Sequence, residues 1–369
     1  MVDFHILAQD RHARCGHITT AHGTIDTPCF MPVGTYASIK GVESTSVTST
    51  GTHIILANTY HLIERPGCDV IERHLGLHNF MQWHKPILTD SGGFQIWSLA
   101  RLCDVDDHGA SFRSPIDGHK RRLTPQSVIE AQYLFNSTIS MVLDMCVPWD
   151  SDTALLEQSV HRTCRWASSS LEHYQQRHGY GLFAIIQGGL DENLRRRCAE
   201  TLATSPFHGY AIGGLSVGEH ATQRNRTLDA TIAFMPQEKP RYLMGVGRPL
   251  DILDAVKRGI DMVDCVLPTR CGRTAKAFTW DGEINMMNAC HRYDTSPLDP
   301  TCPCPLCTHY SKSYLHHLFK KKEILAATLL TLHNLFFYQS LMAKIRQSII
   351  NKRFDSLYEQ IRQRMTTPR

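Results

Sequence analysis

The chain has 369 residues, 42% of them hydrophobic and 20% charged, which is the composition of a folded globular enzyme of one large or two average domains. A formal net charge of +4 at pH 7 permits a nucleic-acid partner without requiring one. Thirteen cysteines are an odd number scattered along a long chain, which excludes a disulfide framework and indicates free thiols in a reducing cytoplasm.

We expect no signal peptide, because no basic stretch precedes an apolar one in residues 1–5. No apolar run approaches the ~20 residues that span a bilayer. Eight short apolar runs follow, and each ends in glycine or polar residues. Continuous runs of this length are typical of parallel strands buried on both faces. The predicted strands are residues 30–33, 54–57, 87–89, 140–143, 183–186, 210–212, 242–244 and 262–266.

Helical patterns with start and stop signals lie between these runs. Thr124 precedes Pro125, a cap residue followed by a proline suited to the first helical position. Asp191 is placed to cap a helix over residues 192–202, and the helix at residues 250–256 runs into a Lys-Arg-Gly stop. Strands alternating with helices predict an α/β fold of the (β/α)8 barrel type, with a doubly wound open sheet as the alternative.

Two insertions interrupt the alternation. Residues 96–123 contain the turn signal Ser-Pro-Ile-Asp-Gly-His at residues 114–119 and predict short extended pieces around it. Residues 288–345 hold a cysteine cluster and a helix rich in Tyr, His and Lys. We expect this second insertion to be a metal-binding subdomain of a single barrel domain that spans residues 1–369.

The second insertion carries a strong metal-binding signal. Cys302, Cys304 and Cys307 form a Cys-x-Cys-x-x-Cys cluster that is followed by His333. Thiolate and imidazole ligands suit tetrahedral zinc, and four protein ligands leave no open position, so the pattern predicts one structural zinc ion. The alternative is a proline-rich loop whose cysteines bind nothing.

Chemistry-bearing residues follow the predicted strands. In a barrel the functional groups gather at the C-terminal ends of the strands. Two carboxylates, one attacking and one moving a proton, are the usual apparatus for displacement at a sugar anomeric carbon. Aspartate and glutamine can read the edge of a purine-like ring, while Phe94 and Met244 could sandwich its faces. The strand ends carry Asp90, Asp144, Asp264, Gln187 and the glycine turns at residues 188–189, 213–214, 245 and 247.

Each of these residues also has a structural interpretation. An aspartate after a strand is often a helix cap, and paired glycines are often only a turn. Phe94 and Met244 could simply belong to the core. The occurrence of all these groups at successive strand ends favours a functional site.

The motifs at these positions resemble those of the tRNA-guanine transglycosylases, also called queuine tRNA-ribosyltransferases, of the bacterial type. The resemblance covers nearly the whole chain. It is carried by Asp-Ser-Gly-Gly-Phe-Gln at residues 90–95, Gln-Gly-Gly at 187–189, Ala-Ile-Gly-Gly-Leu-Ser-Val-Gly-Glu at 211–219, Asp-Cys-Val-Leu-Pro-Thr-Arg at 264–270 and the zinc pattern. The fold that it implies, a (β/α)8 barrel with a zinc-binding insertion, agrees with the spacing.

The resemblance implies exchange of guanine for a 7-deazaguanine at the wobble position (34) of tRNAs with G-U-N anticodons (Asp, Asn, His and Tyr). Asp264 matches the nucleophile that forms a covalent bond to ribose, and Asp90 matches the general acid/base. The base-binding residues that it implies are Ser91, Phe94, Asp144, Cys146, Gln187, Gly214 and Met244. Its implied tRNA-binding residues are Arg248, Arg270 and Arg273, and Tyr310, Tyr314 and His317 match an aromatic patch that joins two subunits.

One residue departs from the family pattern. Met145 stands where the bacterial type usually has glutamate, which bears on the incoming base, whereas Cys146 and Val217 are typical of the bacterial type. We expect the bacterial base preQ1, with queuine as the alternative. Two other functions remain open, a non-catalytic tRNA-binding subunit of the same fold and a zinc-dependent barrel hydrolase. Both Asp90 and Asp264 are present, which favours the enzyme, and a hydrolase would need an open metal site.

Overall fold

The strands form an N-terminal antiparallel sheet, a large parallel sheet and two small antiparallel sheets. The computed structural model describes residues 1–98 and 103–366. Its strands are β1 Asp3–Asp10, β2 Ala13–Thr20, β3 Gly23–Thr27, β4 Cys29–Pro32, β5 Ile55–Ala57, β6 Ile87–Thr89, β7 Cys103–Asp106, β8 Gly109–Arg113, β9 Lys120–Leu123, β10 Ile139–Met141, β11 Gly181–Ile186, β12 Gly209–Ile212, β13 Arg241–Leu243, β14 Met262–Cys265, β15 Lys276–Thr279 and β16 Gly282–Asn285.

The parallel sheet has eight strands in the order β4-β14-β13-β12-β11-β10-β6-β5. From β6 to β14, each strand of this sheet pairs with the sheet strand that precedes it in the chain. The last strand, β14, also pairs with the first, β4. A parallel bridge between Val33 and Leu56 brings the two edge strands together. This cyclic order confirms the predicted (β/α)8 barrel, and the alternative of a doubly wound open sheet is wrong. All eight predicted strands are present within two residues of the predicted bounds.

Apolar residues on both faces of the strands explain why these segments form a barrel. Every residue of β11 is buried, and so is every residue of β12. One face of such a strand fills the barrel interior and the other contacts the surrounding helices. Burial of one Leu, Ile or Phe side chain contributes about 1.5–3 kcal/mol, so the strands hold the barrel rigid and fix the positions of the residues that follow them.

The helices surround the barrel and form the C-terminal part of the chain. Capping fixes where two of them begin. Thr124 accepts a hydrogen bond from the backbone N–H of Ser127 at 3.1 Å, and Asp191 accepts one from that of Leu194 at 2.9 Å, which confirms both predicted caps. The helices are α1 Ser44–Ser49, α2 Thr59–Glu64, α3 Cys68–Arg73, α4 Leu77–Met81, α5 Gly93–Ser98, α6 Pro125–Leu134, α7 Thr153–His173, α8 Glu192–Ala203, α9 Ala221–Ile232, α10 Pro249–Lys257, α11 Leu267–Arg273, α12 Pro305–His309, α13 Lys312–Lys320, α14 Ile324–Ile350 and α15 Phe354–Thr366.

Both predicted insertions have structure of their own. The first contains the three-stranded sheet β7-β8-β9, and its residues 99–102 lie outside the described residues. The second contains a short 3-10 turn at Ala289–Tyr293 followed by α12, α13 and most of α14. A separate apolar cluster packs this part of the chain against the hairpin β15-β16 and includes Cys304, Cys307 and Leu330.

Helix α14 is long and apolar enough to cross a membrane by length and composition alone, with a mean hydropathy of 1.3 and 67% of its most apolar window buried inside the protein. Its buried residues contact β4, β15 and α11. Core helices of soluble proteins have the same character, and the packing here assigns α14 to the core.

Candidate active site

The C-terminal ends of the barrel strands surround a cavity of about 380 Å³. All predicted catalytic and base-binding residues line this one cavity, although they come from six different strand ends. They are Asp90, Ser91, Phe94, Asp144, Cys146, Gln187, Gly214, Met244 and Asp264.

Asp264 lies at the end of β14, with its carboxylate facing the cavity. The Tyr242 hydroxyl donates a hydrogen bond to Oδ1 at 2.6 Å, and the Gly245 N–H donates to the same oxygen at 2.8 Å. Burial raises the pKa of Asp264, and these two donors oppose the increase because they stabilise the ionised form. In the part of the chain that the structure describes, no hydrogen bond from another residue reaches Oδ2, so that oxygen is available for chemistry.

Asp90 follows β6 and is held by donors from two directions. The Thr59 N–H donates to Oδ1 at 2.7 Å, and the amides of Asn58 and Gln95 donate to Oδ2. Burial raises the pKa of Asp90 to about 6, these donors lower it, and the nearby charge of Asp264 raises it. A carboxyl group with a pKa near neutrality can both give and take a proton under physiological conditions, as a general acid/base must.

Asp144 is held in one orientation from both sides. The Ser91 hydroxyl donates to its Oδ1 and the Gln187 amide donates to its Oδ2, each at 2.7 Å. Burial raises the pKa of Asp144, and these two hydrogen bonds lower it. Together the three side chains present fixed acceptors and donors to the cavity, which suits recognition of a flat heterocycle by its polar edge.

Two glycines are required by this arrangement. A Cβ atom at Gly93 would lie 2.2 Å from the Asp144 Oδ1. Gly214 has a φ of +65°, and a Cβ there would lie 2.5 Å from the Gln187 Oε1. Any larger residue would displace the groups that line the cavity, so these glycines serve the site and are more than turn residues.

Phe94 and Met244 both line the cavity, and they differ from each other in exposure. Phe94 is 49% exposed, which argues against a core role and in favour of an aromatic surface that a ligand can cover. Met244 is half-buried. Cys146 is buried, and burial raises the pKa of its thiol to about 12, so it contributes a neutral wall to the cavity.

Three exposed arginines follow strands whose ends line the cavity. Arg270 and Arg273 are on α11, which begins directly after the strand that carries Asp264. Within residues 1–98 and 103–366 neither makes an ion pair with a carboxylate, whereas Arg248 pairs with Glu283 at 2.9 Å. Positive charge of this kind beside the cavity suits phosphate contact.

The predicted metal ligands also come together. The ligand atoms of Cys302, Cys304, Cys307 and His333 lie within 4.8 Å of one another. The His333 Nδ1 lies 3.3 Å from the Cys307 sulfur, and its Nε2 lies 3.0 Å from the carbonyl oxygen of Phe278. A proton on Nε2 donates to that carbonyl and leaves Nδ1 as a ligand, which is the usual second contact of a metal-bound histidine. The cluster could hold a metal ion and is consistent with zinc.

Known proteins match this chain over nearly its whole length. Residues 9–367 match the family described as queuine tRNA-ribosyltransferase. The queuine tRNA-ribosyltransferase of Rickettsia prowazekii (strain Madrid E) is 50% identical over 356 residues, 96% of this chain and 99% of the relative. That of Rickettsia canadensis (strain McKiel) is 51% identical over 346 residues, 94% of this chain and 96% of the relative.

The chain belongs to the queuine tRNA-ribosyltransferase family. This membership confirms the predicted resemblance and makes the chain a tRNA-modifying transferase with a barrel fold. It also argues against the zinc-dependent hydrolase, because the family is one of transferases. The four cysteine and histidine residues that could bind a metal are not among those that line the cavity.

Several residues that support the site in this member of the family have no signal in the sequence. Tyr242 lies within a predicted strand, yet its hydroxyl contacts Asp264. Arg195 on α8 is fully buried, and its guanidinium donates to the carbonyls of Ile186 and Gly213 at 2.9 and 2.8 Å. It therefore joins the ends of β11 and β12 at the two residues that directly precede Gln187 and Gly214. Only the folded barrel brings these groups together.

Proposed function

We propose that this chain exchanges guanine at the wobble position (34) of tRNAs with G-U-N anticodons for a 7-deazaguanine, in queuosine biosynthesis. The observation that carries the proposal is the pair of buried carboxylates, Asp90 and Asp264, facing one cavity that also holds the hydrogen-bonded set Ser91, Asp144 and Gln187. Exchange of one base for another needs a nucleophile, a general acid/base and polar groups that recognise the base. The cavity contains residues suited to each of these roles.

The first half of the reaction releases guanine. The Asp264 Oδ2 attacks the ribose C1′ and forms a covalent ester while the bond from C1′ to the guanine N9 breaks. The electron pair of that bond stays on guanine, and Asp90 supplies the proton that makes the departing base neutral. Tyr242 and Gly245, both bonded to Oδ1, hold the carboxylate in place during the attack.

The second half attaches the incoming base. The ionised Asp90 takes the proton from the ring nitrogen of that base, which attacks C1′ as the bond to Asp264 breaks. Two displacements at the same carbon restore the original configuration of the sugar, and the RNA backbone is never cut. Asp144, Gln187 and the Gly214 N–H read the polar edge of either base, while Phe94 and Met244 contact its faces.

The tRNA brings the target base to the cavity from an anticodon loop. A base in such a loop leaves its stack at low cost, which chemistry at C1′ requires. Arg270 and Arg273, free of carboxylate partners in the described residues, and Arg248 bind the backbone beside it. Reversal of either charge on α11 therefore weakens tRNA binding more than base binding.

We propose preQ1 as the incoming base, because Cys146 and Val217 are typical of the bacterial type of the family. Queuine is the alternative. Cys146 and Val217 both line the cavity, and Met145 carries no charge that could pair with an amine on the base. The Met145 backbone is fixed at both ends, because its N–H donates to Thr163 and its carbonyl accepts from Ser159.

Zinc is the proposed metal of the cysteine and histidine cluster, where it contributes folding energy to the predicted subdomain at residues 288–345. Close by, the rings of Tyr310 and Tyr314 stack with centroids 5.2 Å apart, and Tyr314 and His317 are exposed. We propose that this aromatic patch joins two copies of the chain into a homodimer, and that the protein acts in the cytoplasm.

Exchange of labelled guanine into unmodified tRNA-Tyr by the purified chain alone tests the proposal. We expect incorporation that both preQ1 and queuine compete with, preQ1 at the lower concentration. Stronger competition by queuine would reverse the proposed preference. Intact tRNA binding without incorporation would instead favour the non-catalytic subunit.

The pKa of Asp90 gives a pH prediction for guanine release. Release needs protonated Asp90, so its single-turnover rate should fall as the pH rises through about 6. The Asn58 amide stabilises ionised Asp90 and lowers its pKa, so Asn58→Ala raises that pKa and moves the fall to higher pH. The exposed amide variant Gln126→Ala is the control and keeps the wild-type profile. A coincident profile for Asn58→Ala would contradict the role of Asp90.

A further inference from the structure

Two thiols that do not belong to the metal cluster lie close together near the candidate active site. Cys164 is on α7 and Cys198 is on the neighbouring helix α8, and their sulfur atoms are 3.8 Å apart. The proposed reaction uses neither of them.

The two thiols have different surroundings. Cys164 is half-buried, whereas Cys198 is fully buried. A hydrogen bond from the Cys198 thiol, together with the positive charge of Arg197, lowers the pKa of Cys164. The same contact, together with burial, raises the pKa of Cys198 well above its usual value. Such a pair has one accessible, activated sulfur and one protonated partner beside it.

We propose that Cys164 and Cys198 are a redox-sensitive modification site that closes to a disulfide in the presence of a hydroperoxide. The Cys164 thiolate attacks the peroxide oxygen, and the O–O bond breaks to give a sulfenic acid and hydroxide or an alkoxide. The Cys198 sulfur then attacks the Cys164 sulfur and releases water, with the thiol proton going to the leaving oxygen. Both sulfurs are oxidised together by two electrons, and the peroxide is reduced by two.

Formation of the disulfide requires a modest movement of the two sulfur atoms. A disulfide needs sulfur atoms about 2.05 Å apart, so the two must approach by somewhat less than 2 Å from their present 3.8 Å. Rotation of the partly exposed Cys164 side chain and a small shift of α7 against α8 supply this movement. Disulfides in a reducing cytoplasm are usually transient and regulatory, which suits a bond that a cellular thiol can reverse.

The disulfide would alter the base-binding cavity. Its effect on activity rests on the proposed function. The Cys198 sulfur accepts a hydrogen bond from the backbone N–H of Gln187 at 3.4 Å, and the Gln187 side chain holds Asp144. Movement of Cys198 toward Cys164 weakens the support of Gln187. We expect oxidation to lower kcat/KM for guanine exchange by about tenfold, the effect of one well-placed hydrogen bond.

The bond itself is tested without any activity assay. The full-length zinc-loaded protein is treated with a small excess of hydrogen peroxide, alkylated with N-ethylmaleimide and digested without reduction. We expect a Cys164–Cys198 cross-linked peptide that dithiothreitol removes and that is missing from Cys164→Ser and Cys198→Ser. Its absence from the wild type would overturn the proposal and leave the two thiols as packing residues.

The effect on the site is tested by guanine exchange before and after the same treatment. Cys164→Ser should keep its activity through oxidation, while the activities of the wild type and the control Cys68→Ser fall about tenfold and recover with dithiothreitol. Cys68 is a half-buried thiol on α3. Zinc release, followed with a chromogenic chelator, separates this effect from oxidation of the metal ligands. A cross-link without loss of exchange would overturn the coupling to Gln187, whereas inactivity of the untreated protein would count against the proposed function alone.

Discussion

We expect Asp264→Asn to abolish the proposed covalent complex with tRNA and to lower guanine exchange by about 10⁴-fold or more, the scale seen when an enzyme loses its nucleophile. The amide keeps the shape of the carboxylate and can still accept at Oδ1 from Tyr242 and Gly245. It lacks the negative charge that attacks C1′, so the substitution removes the chemistry with little change in packing. Denaturing gel electrophoresis of the protein mixed with tRNA detects the complex as a band of higher mass.

Asp229→Asn is the matched control for this substitution. Asp229 is an exposed carboxylate on α9 that pairs with Arg258 at 2.8 Å, away from the cavity. An exposed ion pair contributes little to stability, so the control should keep both the complex and the exchange activity. Full retention of the complex by Asp264→Asn would refute the assignment of the nucleophile, whatever the control does.

The barrel could be predicted because its strands are buried on both faces. A strand such as β11, Gly181–Ile186, is apolar at nearly every position and ends abruptly at Gln187, so it stands out in the sequence. The N-terminal strand β1, Asp3–Asp10, alternates between exposed and half-buried residues. Its polar residues and its exposure to solvent hide it among the loops, and the antiparallel sheet β1-β2-β3 was not predicted. The hairpin β15-β16 was missed for the same reason, since β16 also alternates in exposure.

The candidate site was predicted to the extent that strand ends define it. Asp90, Gln187 and Asp264 follow apolar runs, and their convergence follows from the barrel alone. Their supporting contacts could not be predicted in this way. Tyr242 and Arg195 act through tertiary hydrogen bonds to groups more than five residues away in sequence, and no spacing rule connects such pairs. The contact between Cys164 and Cys198 likewise depends on how α7 packs against α8.

Cys302→Ala removes one of the four proposed metal ligands, and we expect it to release the metal and loosen residues 288–345. Structural zinc contributes about 10–16 kcal/mol of binding free energy to small zinc domains, far more than one side chain contributes by packing. Cys304, Cys307 and His333 are buried within this part of the chain, so loss of the ion removes the bonds that hold three buried side chains together. Elemental analysis measures the metal, and hydrogen exchange measures the loosening of α12 and α13.

Cys290→Ala is the matched control, because Cys290 is an exposed thiol in the same segment and lies outside the ligand cluster. The Cys290→Ala variant should keep one zinc ion per chain and the wild-type pattern of hydrogen exchange. The same two variants test the proposed dimer, since the ring of Tyr310, which directly follows α12, stacks on that of Tyr314 on α13. Disordering these helices removes the patch, so Cys302→Ala should lower the subunit mass measured by light scattering to that of one chain. Unchanged metal content in Cys302→Ala would show that the four residues pack together without binding zinc.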